Sequence, residues 1–139
     1  MVNIPTVTRL RGLALPAVKG PGGYFESKSP LDVAWGDLLS ALLTPRGTRV
    51  MNRSFGSVLR EQLFEPNSED HRAIIEYVIR EAAAENCPHI VIRDVKAYAS
   101  DSDPKRVQLR VGFALRTDTA NVANREVTVT KTFLSSPEL

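Results

Sequence analysis

At Pro88 the spacing of apolar residues changes from three and four to two, and this switch divides the chain into a helical part and a strand part. Before it, Ile74, Ile75, Val78, Ile79 and Ala82 form one stripe while Arg72, Glu76, Arg80 and Glu81 fall on the other side, the pattern of a helix with one buried face. Asn67 or Ser68 suits its cap, and Glu69 and Asp70 complement the dipole of its first turn. After it, Val107, Leu109, Val111, Phe113 and Leu115 alternate without exception against Gln108, Arg110, Gly112, Ala114 and Arg116, which predicts a strand with one face covered. His89 to Tyr98 reads as a preceding strand, with imperfect alternation around Asp94, and Glu126 to Phe133 as a following one. Turn chemistry separates them at Ser100 to Pro104 and at Asp118 to Asn121.

Two more helices are expected upstream. Ser29-Pro30-Leu31-Asp32 supplies a cap, a proline at the first helical position and an acid placed for a capping box. Leu31, Ala34, Trp35, Leu38, Leu39 and Leu42 follow at helical spacing until Thr44-Pro45. Phe55, Val58, Leu59 and Leu63 predict a short helix within residues 54–64, ended by Glu65-Pro66. The expected fold class is therefore α+β: three helices packed on one face of a small three-stranded antiparallel sheet. Residues 1–29, centred on Gly20-Pro21-Gly22-Gly23, read as an irregular N-terminal arm, and 30–139 as a single domain.

Composition supports a packed core. Leu, Val, Ile and Phe make up 39 of 139 residues, about 28%, above the roughly 20% below which chains tend to stay disordered. No stretch approaches the roughly 18 consecutive apolar residues of a membrane helix, so no membrane partner is expected. The N-terminal apolar piece at residues 13–18 is short and broken by Pro16, unlike a secretory leader. A single cysteine, Cys87, calls for no oxidising compartment, and a net charge of +2 gives only a weak long-range field.

Catalytic constellations are scarce. His71 and His89 lack metal-ligand spacing, and Cys87 beside His89 is better read as a small buried thiol next to a strand-edge histidine than as a catalytic pair. Glu61 with Glu65, and Glu81 with Glu85, place two acids on one helix face, the minimum for glycoside hydrolysis, but solvated helix exteriors present the same pattern. Arg46, Arg49, Arg53 and Arg60 form a basic cluster near Phe55, without the interleaved aromatics typical of nucleic-acid modules, so a protein-binding or solvated surface is favoured. No catalytic residue, cofactor or metal is expected. The last strand, rich in Thr and Val, would be a sheet edge open to strand addition by a partner.

One segment is more distinctive. Thr44, Gly47, Arg49, Met51, Phe55, Gly56, Leu59, Phe64, Glu65 and Pro66 stand in an order that resembles the signature of the small baseplate wedge subunit of contractile-tailed phages. This sheath-initiator family is shared with the baseplates of type VI secretion systems, and the resemblance covers roughly residues 30 to 134. Thr48 stands where the family pattern has Glu, and Cys87-Pro88-His89 where it has Glu-Pro-Arg. His89 lacks the fixed charge and five-donor fork of arginine, which weakens charge-based docking there and favours a phage tail over the secretion version.

The resemblance implies a structural subunit, not an enzyme, located in the virion tail baseplate and assembled in the host cytoplasm. Its implied partners are the larger baseplate wedge proteins and the tail sheath subunit, whose terminal arm extends the sheet. On that reading Pro88 and His89 belong to the wedge contact and Val127, Val129 and Lys131 to the sheath contact. Arg46, Gly47, Arg49, Phe55 and Gly56 hold the turn and the helix packing. Two alternatives stand beside it: a peptidoglycan hydrolase of the tail, and a small nucleic-acid-binding module.

Overall fold

The computed structural model describes residues 19–21, 29–63, 65, 68–99 and 106–130. Helices α1 (Pro30–Leu43), α2 (Leu59–Gln62) and α3 (Glu69–Asn86) precede strands β1 (Ile90–Ala99), β2 (Arg106–Leu115) and β3 (Asp118–Thr130). The expected N-terminal arm, the loop at Ser100 to Pro104 and the segment from Lys131 onward lie outside the described residues, apart from 19–21 and 29.

The caps act as the sequence predicts. Ser29 Oγ accepts the Asp32 N–H at 3.3 Å and donates to the Asp32 carboxylate at 2.7 Å, with Pro30 at the head of α1. Ser68 caps α3 by accepting the His71 N–H at 3.2 Å. His71 is buried, and its Nε2 lies 2.6 Å from the Gln62 carbonyl. Because a carbonyl only accepts, Nε2 carries the proton, and the ring ties the start of α3 to the end of α2. Ile74, assigned by spacing to the buried stripe, is instead about half exposed at the margin of that face, while Ile75, Val78, Ile79, Ala82 and Ala83 are buried.

The sheet is antiparallel in the order β1-β2-β3, so β2 is central and both neighbours are edges. The imperfect alternation near Asp94 is a bulge: Ile92 pairs with Phe113 and Asp94 with Gly112, leaving Arg93 as the extra residue. β3 starts earlier than the turn chemistry at Asp118 to Asn121 suggests. Leu115 pairs with Asp118 and Ala114 with Val122, so only Arg116 and Thr117 make the turn. Residues 119–121 are the irregularity that restores register, braced by the Asn121 amide on the Asp118 carboxylate. Those polar residues mark a kink inside a strand, not its boundary.

α3 lies along β1, α1 packs beside α3 and touches β2, and α2 rests mainly on α3 and α1. Trp35 carries the contact of α1 with the sheet, its ring stacked on Phe113 with centroids 5.7 Å apart and planes 12° apart. Leu38, Leu59, Ile75, Ile79, Val95, Val111 and Phe113 are buried in one continuous core. The helix expected within residues 54–64 is reduced to α2. Its first half is irregular because Gly56 sits at φ +111° and the Ser57 N–H bonds back to the Thr44 carbonyl at 2.9 Å, neither compatible with a helical turn.

Candidate functional site

Three surfaces carry the residues singled out in the sequence: the loop from Thr44 to Ser57, the turn from α3 into β1, and the outer edge of β3. The loop is closed at its neck by a short parallel bridge between Pro45 and Ser57, in which Arg46 N–H also donates to the Ser57 carbonyl at 3.2 Å. Ser57 Oγ reaches the Leu42 carbonyl at 2.7 Å and accepts the Leu59 N–H at 3.2 Å, joining the end of α1 to the start of α2. Gly47 adopts φ +87°, the left-handed conformation the first turn requires. Thr48 closes that turn with its hydroxyl on the Pro45 carbonyl at 2.8 Å, where the related signature has a glutamate.

The far side of the loop is fastened to the end of α3. Asn86 accepts the Gly56 N–H at 3.2 Å and donates to the Gly56 carbonyl at 3.1 Å and to the Ala82 carbonyl at 2.8 Å. Arg46 pairs with Glu85, and the Arg49 guanidinium lies 4.2 Å above the Phe55 ring. An open cleft of about 430 Å³ between loop and helix is lined by Arg46, Asn52, Ser54, Phe55, Glu85 and Asn86. All five motif residues thus come together, as does Asn86. A signal for Asn86 exists only in retrospect: a polar residue closing a long helix, four positions beyond Ala82.

At the turn into β1, Pro88 is exposed and His89 half-buried. The His89 carbonyl accepts the Arg116 N–H at 2.9 Å, which pins the turn to the end of β2. His89 Nε2 lies 3.2 Å from Asp37 Oδ2 on α1, an ion-pair distance once the ring is protonated, although the angle does not make a hydrogen bond. Cys87, just before it, is buried, and desolvation together with the Asp37 charge pushes its thiol up from 9.0 to about 11. A thiol so shifted stays protonated at neutral pH and is a poor nucleophile.

The two sheet edges differ. On β1, the Ala97 N–H is bonded at 3.1 Å by the Glu76 carboxylate from α3, and the Arg93 bulge interrupts the strand. On β3, no strand among the described residues pairs with the outer side. Val129 is buried and Val127 packs against the core, so these two side chains face the helices and any contact with an added strand runs through their main chain. Lys131 lies outside the described residues. On the solvent face Glu126 stands opposite Arg110 and binds its guanidinium, the Nε at 2.7 Å, and this hydrogen bond raises the Arg110 pKa.

The residues invoked for other chemistries are dispersed. Glu61 and Glu65 are exposed, and neither lines the cleft beside the loop nor a second cavity of about 410 Å³ over Tyr98, Arg110 and Thr128. Of the four arginines of the basic cluster, Arg46 is engaged by Glu85, Arg49 stacks on Phe55, and Arg60 is not free either. Among the described residues, no three His, Cys, Asp or Glu side chains are grouped to hold a metal, and no helix is long and apolar enough to cross a membrane.

This framework is shared with known structures. A Geobacter sulfurreducens protein that carries the name tail lysozyme superposes with a TM-score of 0.67 at 21% identity, over 74% of this chain and 92% of that one. A chain of the anti-feeding prophage baseplate matches with a TM-score of 0.58 at 16% identity, over 89% of this chain and 87% of its own. A chain of the postcontracted pyocin R2 baseplate gives 0.56 at 21%, over 77% and 99% respectively. At these identities the likeness is one of fold. Among curated proteins the sequence has no significant match. The family described as baseplate wedge protein gp25 is matched by residues 36–120, from within α1 through the clamped loop, α3 and the first two strands into the start of β3. With that span covering more than half of the chain and including the whole loop motif, this protein belongs to the baseplate wedge gp25 family of contractile tails.

Proposed function

We propose that this protein is a non-catalytic structural subunit, assembled in the host cytoplasm, that links larger wedge proteins to the first sheath ring and templates sheath assembly by strand addition at β3. The observation that carries this reading is the inequality of the two edges. Neither β1 nor β3 has a described strand on its outer side, but the Glu76 carboxylate takes the Ala97 N–H in the body of β1 and a bulge interrupts that strand at Arg93, whereas the Arg93 guanidinium reaches only the Thr119 carbonyl at the start of β3. Main-chain hydrogen bonds supply affinity in strand addition, and the inward-facing Val127 and Val129 keep the receiving edge rigid. Pro88 and His89, displayed at the opposite end of the sheet from the Ala99 end of β1, form the wedge contact, with Asp37 as the acidic neighbour of the ring.

The test is co-expression with the wedge and sheath proteins of the same genome, followed by capture on this chain and amide hydrogen exchange. Sheath binding is expected to slow exchange in residues 122–130 and leave residues 90–99 unchanged. His89→Ala is expected to release wedge proteins while sheath is retained. Equal exchange in β3 with and without bound sheath refutes the template role. The hydrolase alternative has a neighbour's name behind it, but Glu61 and Glu65 are both exposed and line neither of the two cavities described above.

A further inference from the structure

We infer that the loop tip at Val50 and Met51 is a preformed interface anchor that seats in an apolar pocket, rimmed by carboxylates, on a neighbouring baseplate protein. This rests on the baseplate reading above and adds a third contact to it, distinct from the β3 edge and from Pro88 and His89.

Val50 is 84% exposed and Met51 100% exposed, two consecutive apolar side chains that the protein's own core leaves uncovered. Isolated exposed apolar residues are ordinary, but these stand at the tip of a loop fixed on every side. The Pro45–Ser57 bridge closes its neck, Asn86 holds Gly56 by two hydrogen bonds, and Arg49 stacks on Phe55. Met51 itself is held at φ +66°, a conformation disfavoured for any residue with a Cβ and usually given to Gly or Asn. A methionine here improves neither the turn nor the core. A fixed, protruding apolar side chain gains when a partner buries it, and little freedom remains to be lost on binding.

Charge identifies the pocket. Between Asp37 and Glu61 the chain carries four arginines and no acidic residue, and two of them, Arg49 and Arg53, flank the tip. A guanidinium stacked on a ring keeps its in-plane N–H donors for a carboxylate, so Arg49 is oriented for bidentate pairing at the rim. An apolar centre with a charged margin is the anatomy of a protein interface. Phosphate recognition needs no methionine at its centre, and two apolar side chains are too small a patch to hold a membrane surface.

The test measures affinity for the captured baseplate proteins and thermal midpoint in wild type, Met51→Gly, Met51→Asp and Arg53→Glu. Met51→Gly fits the backbone better, so its midpoint is expected to hold or rise while affinity for one partner falls roughly tenfold to a hundredfold. Met51→Asp should lose that partner too, and Arg53→Glu should flatten the salt dependence of its association. Undiminished capture by both Met51 variants overturns the anchor while leaving the baseplate reading intact. Wild-type protein that captures no baseplate protein at all overturns both. Binding to duplex DNA or to anionic vesicles that Met51→Asp abolishes, with protein capture unchanged, overturns the anchor in favour of that ligand.

Discussion

Gly56 shows how closely one residue can be determined by its surroundings. A Cβ built on it lies 2.4 Å from the Thr44 carbonyl oxygen and 3.1 Å from Arg46 N, and its φ of +111° is one that other residues avoid. Neither neighbour can give way, because both are main-chain atoms of the bridge that closes the loop. Gly56→Ala is therefore expected to destabilise the protein by roughly 3 kcal/mol or more, combining backbone strain with a steric clash, as chemical denaturation will measure. Gly47 has nothing within 4 Å of its virtual Cβ, so substitution there carries only the conformational cost. The sequence distinguishes neither glycine from the other. Spacing placed Phe55, Val58, Leu59 and Leu63 on one side, and all four do meet the core, yet a helical period cannot reveal that Ser57 bonds to a residue thirteen positions earlier. Asn86 was hidden for the same reason: its two bonds to Gly56 cross thirty residues of chain.

Among the elements, α3 and β2 were the most legible: α3 buries one face, and β2 alternates from Arg106 to Val111, although Gly112 and Ala114, which spacing assigns to the open face, are buried as well. β1 and β3 were less so. Each is an edge strand carrying an irregularity, at Arg93 and at residues 119–121, and an extra residue shifts the alternation on which recognition depends. The bond from Glu76 to the Ala97 N–H also went unseen, since on α3 Glu76 reads as one more outward acid. Removing that carboxylate uncovers an edge donor. Glu76→Ala is expected to cost about 1–2 kcal/mol and to raise self-association in sedimentation experiments, whereas Glu76→Gln, which keeps an acceptor, should do neither to the same degree. Equal behaviour of the two variants will show that the edge is guarded by something other than this bond.

For the whole molecule, the junction between its helical and strand halves sets a pH limit. Cys87 ends α3, is buried, and holds its proton up to about pH 11, against 9.0 for an unhindered thiol. A folded-state pKa above the unfolded one means that the unfolded chain releases the proton first. Stability from this group is complete below about pH 9 and declines as pH rises towards 11. Urea midpoints are expected to fall across that window in wild type and to slope less in Cys87→Ala. The overall α+β plan was readable because the period changes once, at Pro88, beside this junction. The contacts that set one edge apart from the other were not readable, since they depend on which element lies beside which strand. That inequality has a consequence for counting. If only β3 can receive a strand, the subunit has a valence of one along the sheet: each copy starts a single ladder in a single direction, and the number of ladders is fixed by the number of subunits rather than by the supply of strands.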